Sequence, residues 1–329
     1  MFWKGAVPPD GILSPGAFRL LLAFAVVASH LSRLDIGRLA VLLFFYLSGY
    51  WVARMWDRKF QQRRLGRFYA SRYLRIAPLY LLALIAAAIL LQRPIQAENL
   101  SLIGVASSDN DPIGISWSLD VELQFYLLIP LIVGMAMSLP LWAVGVGSLT
   151  IAILGWVIAG HFGIVSVAQY LPVFVLGVLT HLRGWEPSRR LAHASLAAFV
   201  ILTVVAAVAP ATRSFVDKTV ADPFHRDIFA FFWMLPLLPY VARSIAKPSG
   251  DLDRHLGNLS FPVYLVHYPI AAYLVSHQTA PLVAKPAALL ATVLMAVGLY
   301  LVFDRPVDEL RMRWTERFSP PGRRVPVAF

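Results

Sequence analysis

Apolar residues run along this chain in long blocks separated by short polar segments. Ten blocks can be recognised, at 17–32, 38–54, 76–92, 120–138, 140–159, 164–182, 191–209, 227–243, 258–276 and 282–303. A helix needs about 20 mostly apolar residues to cross a bilayer, and several blocks approach that length. The alternating pattern of an outer-membrane barrel is absent. The sequence therefore predicts an all-α fold, a polytopic membrane bundle of about ten transmembrane helices.

The composition supports a membrane protein and removes several kinds of chemistry. Of the 329 residues, 58% are hydrophobic and 14% are charged, whereas a soluble domain has about 25% charged residues. The formal net charge of +11 would suggest nucleic acid in a soluble protein. Here the basic residues lie between the apolar blocks, so we expect no nucleic-acid partner. The chain has no cysteine, which excludes a thiolate nucleophile, and the histidine spacing predicts no metal site.

The segments between the blocks differ in charge. The segment after the second block contains one acid, Asp57, and the basic residues Arg54, Arg58, Lys59, Arg63, Arg64, Arg67, Arg72 and Arg75. Further basic residues follow the sixth, eighth and tenth blocks, whereas the intervening connections are poorer in them. Because basic loops stay on the cytoplasmic side, we expect both termini in the cytoplasm. We also expect a bacterial inner membrane as the location of the bundle.

The first block carries an arginine near its start and a histidine near its end, with ten residues between Arg19 and His30. In a helix these two residues share a face within about 20° and lie about 16 Å apart along the axis. One reading is that both side chains simply reach headgroup water. The other is functional, because histidine is the usual general base near neutral pH.

A second unusual stretch is ISWSLDVELQFYLLIP, residues 115–130. Helix capping by Ser118, with Asp120 near the positive end of the helix dipole, would explain the first acid. It explains Glu122 less well, because apolar residues follow at once and a carboxylate in an apolar span usually has a functional partner. We therefore expect Glu122 to orient the imidazole of His30.

A third stretch, LGNLSFPVYLVHYPI at 256–270, places His267 in the middle of an apolar block between Pro262 and Pro269. The histidine could be bonded to a carbonyl that proline frees, or it could line a route for substrate. The sequence leaves both interpretations open.

These stretches together resemble the acyltransferase 3 family of integral membrane acyltransferases. The family pattern of a basic residue, ten residues and a histidine is met by Arg19 and His30. FFYLSGY at 44–50, RYLRIAPLY at 72–80, the two stretches just described and FDRP at 303–306 follow in the family's order. Asp304 stands where glutamate is common in the family.

The resemblance implies transfer of an acyl group, most simply acetyl, from a coenzyme A thioester to a hydroxyl of a cell-surface or lipid-linked carbohydrate. Acyl-CoA would be a donor substrate, with no permanently bound cofactor. By the same resemblance His30 is the catalytic base and Arg19 binds or positions the donor. Trp117, Ser118 and Glu122 would support the site. Arg72 and Arg75 would meet donor phosphates, although charges that only set the topology explain them equally well.

Other functions remain open at this stage. A transporter or flippase for a lipid-linked sugar would also have ten spans and buried polar residues, and a structural subunit of an envelope-polysaccharide complex would need no catalytic base. An acyltransferase acting on a small molecule such as a macrolide is a further alternative. We expect residues 1–329 to form a single acyltransferase 3-type transmembrane domain without an appended soluble domain.

Overall fold

A computed structural model describes residues 10–57, 65–220, 222–277 and 280–316, and within them all regular structure is helical. The α-helices are α1 Pro15–Leu31, α2 Ile36–Met55, α3 Leu65–Leu91, α4 Ala97–Ser101, α5 Ser116–Ser138, α6 Leu141–Phe162, α7 Val167–Leu182, α8 Arg189–Val208, α9 Pro210–Val216, α10 Pro223–Met234, α11 Leu238–Ala246, α12 Asp251–His277, α13 Pro281–Leu299 and α14 Arg305–Glu316.

The long helices are those of a multi-pass membrane protein. Within the described ranges, eight helical segments are long and apolar enough to cross a membrane, with α10 and α11 joined into one of them. The apolar helices α1 and α7 are shorter, with 17 and 16 residues. Together these helices match the ten predicted blocks. Large apolar side chains on α6 and α8, such as Ile153 and Val208, are exposed, which suits surfaces that face lipid.

The third helix begins earlier than the sequence pattern predicts. α3 starts at Leu65 instead of residue 76, so Arg72 and Arg75 belong to a helix and not to a loop. Arginine is a good helix former, and both side chains line an internal cavity of the bundle. The polar start of α3 is thus compatible with a helix, because Arg72 and Arg75 face the interior of the protein.

The fourth predicted block also begins earlier, and its cap differs from the expected one. α5 starts at Ser116, and the carboxylate of Asp111 accepts hydrogen bonds from Ser116 N–H at 2.7 Å and Ser116 O–H at 2.8 Å. Ser118 is therefore not the N-cap. Asp120 accepts a hydrogen bond from the backbone N–H of Ala106 at 2.9 Å, so it ties the preceding loop to α5.

Two close helix contacts fix the centre of the bundle. α2 and α7 touch through Gly49, where an added Cβ would lie 2.2 Å from Phe174 O, and Gly177, where it would lie 2.1 Å from Tyr46 O. α1 and α12 touch through Gly16, whose added Cβ would lie 1.8 Å from Asp253 O. Only glycine allows these backbones to approach so closely.

Part of the basic segment that suggested the orientation lies outside the described residues. The residues concerned are Arg58, Lys59, Arg63 and Arg64, together with Arg317, Arg323 and Arg324 in the tail.

Candidate active site

The two histidines singled out in the sequence meet between α1 and α12. Near the start of both helices, Asp253 Oδ1 accepts hydrogen bonds from Ser14 O–H and, at 2.9 Å, from the backbone N–H of Ala17. Towards the other ends, Nε2 of His267 lies 2.9 Å from Nδ1 of His30. The two helices are therefore parallel, and the carboxylate of Asp253 helps to fix the register that brings the histidines together.

The hydrogen bonds assign the protons of the neutral histidine pair. Nδ1 of His267 lies 2.6 Å from the carbonyl oxygen of Tyr264, and because a carbonyl only accepts, this nitrogen carries the hydrogen. Nε2 of His267 then accepts, and Nδ1–H of His30 donates to it. This arrangement leaves Nε2 of His30 unprotonated, which is the form that a general base requires. His267 thus bonds a backbone carbonyl, although not one that Pro262 or Pro269 leaves free, and its other ring nitrogen faces the candidate base.

The side chain of His30 is exposed and lines a cavity of about 110 Å³. His267 is buried, with only 1% of its surface exposed. We call this space the histidine cavity, and its lining includes His30, Arg38, Trp117, Lys218, Arg226 and Tyr264. The ring of Tyr268 stands edge-on to His30, with 5.2 Å between the ring centroids. Tyr268 is held against Gly114, where an added Cβ would lie 2.1 Å from the tyrosine ring.

Two ion pairs shape the histidine cavity. Arg226 donates to both carboxylate oxygens of Asp35, at 2.8 and 3.0 Å. Arg38 pairs with Asp227, which also accepts a hydrogen bond from Tyr170 O–H at 2.9 Å. The guanidinium of Arg38 lies over the ring of Trp117, 4.8 Å from its centroid, so this aromatic surface has a fixed orientation.

Glu122 has other partners than the sequence suggested. Its Oε1 accepts hydrogen bonds from Ser48 O–H and Tyr126 O–H, each at 2.6 Å. None of its hydrogen bonds within the described residues reaches His30, whose imidazole is oriented by His267. The expectation that Glu122 orients His30 is therefore corrected: the side chain of Glu122 bonds Ser48 on α2 and Tyr126 on its own helix instead.

Glu122 lines a second cavity of about 230 Å³, which we call the arginine cavity. Among the described residues, five guanidinium groups line this space, those of Arg19, Arg72, Arg75, Arg254 and Arg311. Some are balanced by acids: Arg75 donates to Asp304 at 2.9 Å, and Arg311 donates to Asp308 at 2.8 and 2.9 Å. Arginine matches the geometry of phosphate oxygens, so the arginine cavity is suited to a polyanionic ligand.

The two cavities share lining residues beside a pair of hydrogen-bonded side chains. Val41 and Tyr264 line both cavities, while Ser118 lines the arginine cavity. The hydroxyls of Ser118 and Tyr264 lie 2.6 Å apart. Arg19 on one cavity and His30 on the other are separated by about 16 Å along α1. The contact between α5 and α12 therefore lies beside both spaces, together with Val41 of α2.

The predicted site residues fall into two groups. His30 and Trp117 line the histidine cavity, whereas Arg19, Arg72, Arg75, Ser118 and Glu122 line the arginine cavity. His267 contacts His30. Sequence reasoning missed Ser48, Tyr126 and Tyr264, for which the only signal is that they lie inside the resembling stretches. It also missed Arg38, Lys218, Arg254 and Arg311, which look like ordinary charges at span ends.

Comparison with known proteins agrees with this architecture. A model of the acyltransferase 3 family, described as an acyltransferase domain, matches residues 12–305. Nodulation protein 10 of Rhizobium leguminosarum bv. viciae is 30% identical over 176 residues, which are 48% of this chain and 44% of that protein. The chain thus aligns with less than half the length of this relative. No solved structure matches the chain significantly. Since the family model covers most of the sequence, the chain belongs to the acyltransferase 3 family.

Proposed function

We propose that the protein is a membrane O-acyltransferase that uses a cytoplasmic acyl-CoA, with acetyl as the simplest acyl group. The acceptor in this proposal is a hydroxyl of a cell-surface or lipid-linked carbohydrate on the other side of a bacterial inner membrane. The supporting observation is that one face of α1 contributes to two cavities, one lined by a cluster of arginines and the other by a histidine whose Nε2 is unprotonated.

The arginine cavity would hold the phosphates of the donor on the cytoplasmic side. The pantetheine arm would extend past the contact between Ser118 and Tyr264 and present the thioester to His30. The separation of about 16 Å along α1 is comparable to the reach of such an arm. Trp117 would offer a flat apolar surface to a sugar ring in the histidine cavity.

The reaction then needs only groups of this chain and its two substrates. Nε2 of His30 takes the proton of the acceptor hydroxyl while its oxygen attacks the thioester carbonyl carbon. The carbon–sulfur bond breaks, and the coenzyme A thiolate leaves and recovers the proton from His30. The positive charge that His30 carries in between is shared through its Nδ1–H with Nε2 of His267. Holding both reactants in one site lowers the barrier without a covalent acyl-enzyme.

The test uses the purified protein in sealed vesicles of determined orientation. Acetyl-CoA is added only on the face that carries the arginine cavity, and a membrane-impermeant glycan acceptor only on the other. Because the chain has no cysteine, a thiol reagent detects only released coenzyme A. We expect thiol release and an acylated glycan in wild type and neither in His30→Ala. Transfer that requires both substrates on the same face would overturn the through-membrane arrangement.

Cysteine labelling in intact cells tests the orientation of the bundle. Asp109→Cys and Glu186→Cys each introduce one exposed thiol, on connections at opposite ends of the helices. An impermeant maleimide added to intact cells should label the cysteine at 109 and spare the one at 186. The reverse result would place the arginine cavity on the outer side and refute a cytoplasmic donor.

A further inference from the structure

The segment between α9 and α10 brings a lysine into the histidine cavity. Lys218 has a φ of +62°, a backbone conformation that costs free energy in any residue with a side chain. The turn is held by Thr219, whose N–H donates to Ser214 O at 3.1 Å, and by Val216 O, which accepts from Asp35 N–H at 2.8 Å. Non-glycine residues held in this conformation cluster at functional sites.

The ammonium group of Lys218 reaches the end of α1 beside the candidate base. Its Nζ donates to the carbonyl of Ser29 and, at 3.5 Å, to that of Ser32. His30 lies between these two residues and lines the same cavity. An ammonium has three N–H donors, so one remains for a ligand after the two carbonyls are bonded.

Lys218 also differs electrostatically from the other two cations of the histidine cavity. Arg38 and Arg226 each form an ion pair with a carboxylate. Within the described part of the chain, no carboxylate forms an ion pair with Lys218, whose hydrogen-bond acceptors are neutral carbonyls. Partial burial lowers the pKa of Lys218. The cavity therefore has one cationic group whose charge is not matched by a direct acid partner.

We propose that Lys218 is a catalytic residue that donates to the carbonyl oxygen of the acyl group as negative charge develops on it. This inference rests on the proposed function. Attack of the acceptor hydroxyl turns the trigonal carbon into a tetrahedral one and places negative charge on its oxygen. A fixed donor aimed at that oxygen in a water-poor site stabilises the transition state more than the substrate.

The competing explanation is that Lys218 only caps α1. A cation near the C-terminal carbonyls of a helix stabilises it, but such a cap would not distinguish a trigonal from a tetrahedral acyl carbon. Lys218→Gln separates the two roles, because glutamine can still donate to the carbonyls of Ser29 and Ser32 but has no charge. Lys218→Arg keeps the charge, and Lys285→Gln removes an exposed lysine of α13 as the matched control.

The measurement compares the affinities of the reconstituted protein for two coenzyme A ketones. S-acetonyl-CoA is a trigonal analogue of the donor, and the hydrate of S-trifluoroacetonyl-CoA has a tetrahedral carbon with two oxygens. Wild type and Lys285→Gln should prefer the tetrahedral analogue, as enzymes prefer transition-state analogues. Lys218→Gln should lose at least about tenfold of this preference and, with an acceptor present, about 10²–10³-fold in kcat. Lys218→Arg should recover part of both.

The outcomes separate the two proposals. If neither ketone binds wild type, the proposed donor is wrong. If both bind and Lys218→Gln has the wild-type preference and kcat, Lys218 does not act on the acyl oxygen. If Lys218→Gln does not fold, Lys218→Arg decides, because arginine keeps the charge but moves the donor N–H groups: wild-type binding of acetonyl-CoA with a reduced tetrahedral preference supports the proposal, and a wild-type preference overturns it whatever the thermal stability.

Discussion

His30 and His267 lie on two parallel helices and share a hydrogen bond of 2.9 Å between Nδ1 of His30 and Nε2 of His267. The bond to the carbonyl of Tyr264 fixes the hydrogen on the far side of His267. His267 therefore has the position that a carboxylate has beside the histidine of many acid–base sites, but it is a neutral acceptor. The proton positions of the pair follow from one backbone carbonyl of α12.

This relationship predicts different effects for substitutions of the two histidines. His30→Ala removes the base and should lower kcat about 10²–10⁴-fold. His267→Gln keeps an oxygen that can accept from His30, so its loss of kcat should be smaller than that of His267→Ala. His161→Ala, at an exposed end of α6, is the control. Rates are measured as thiol release in vesicles, and a wild-type rate in His267→Ala would contradict a role for the pair.

The hydrogen bonds of Glu122 lead to a second prediction. Glu122→Gln keeps an acceptor for Ser48 and Tyr126 but removes the negative charge from a cavity rich in arginine. This variant should raise the affinity for the anionic acetyl-CoA and alter how that affinity depends on salt concentration. The kcat at saturating donor should stay near the wild-type value. Calorimetric titration with coenzyme A and steady-state rates measure both. A large loss of kcat with unchanged donor affinity would instead restore Glu122 as a partner of the base.

The fold could be predicted from the sequence because hydrophobicity along a span is a local property. The helical bundle and the family membership are both confirmed. The predicted first residues of α3 and α5 were wrong. Polar residues such as Arg72 and Ser116 look like loop residues when the cavity that receives the side chain, or the cap that bonds it, is unknown.

The candidate site could be predicted only in part, for a related reason. Arg19 and His30 share one helix, so helical geometry relates them, whereas His30 and His267 are 237 residues apart and only the packing of α1 on α12 joins them. A basic residue at a span end gives the same pattern whether it faces headgroups or a cavity. Arg254 and Lys218 therefore could not be distinguished from charges that only set the topology.

The position of Tyr268 beside His30 gives a third prediction. Gly114→Ala would place a Cβ 2.1 Å from the ring of Tyr268 at a φ of +79°, so the ring must move away from His30. We expect a lower kcat with little change in donor affinity. Gly104→Ala is the matched control, because its φ is +87° but its added Cβ would lie 3.9 Å from the nearest atom. Equal kcat in both variants would mean that Tyr268 does not position the base.

The hydrogen bond between Ser118 and Tyr264 gives the last prediction, since in the proposed reaction a pantetheine arm passes these side chains to join the two cavities. Their hydroxyls lie 2.6 Å apart, and the ring of Tyr264 lines both spaces. Tyr264→Trp places a larger ring at the contact. It should abolish transfer while coenzyme A still binds the arginine cavity.

Removing the hydrogen bond without adding bulk should increase the rate of acyl transfer. A net hydrogen bond contributes about 0.5–1.5 kcal/mol, so Tyr264→Phe and Ser118→Ala should each make opening about two- to tenfold more favourable. Because both remove one shared interaction, the double variant should equal either single variant. Rates with a short acyl-pantetheine and with full acetyl-CoA, compared in the four proteins, measure the effect. Undiminished transfer by Tyr264→Trp would show that the acyl chain reaches His30 by another path.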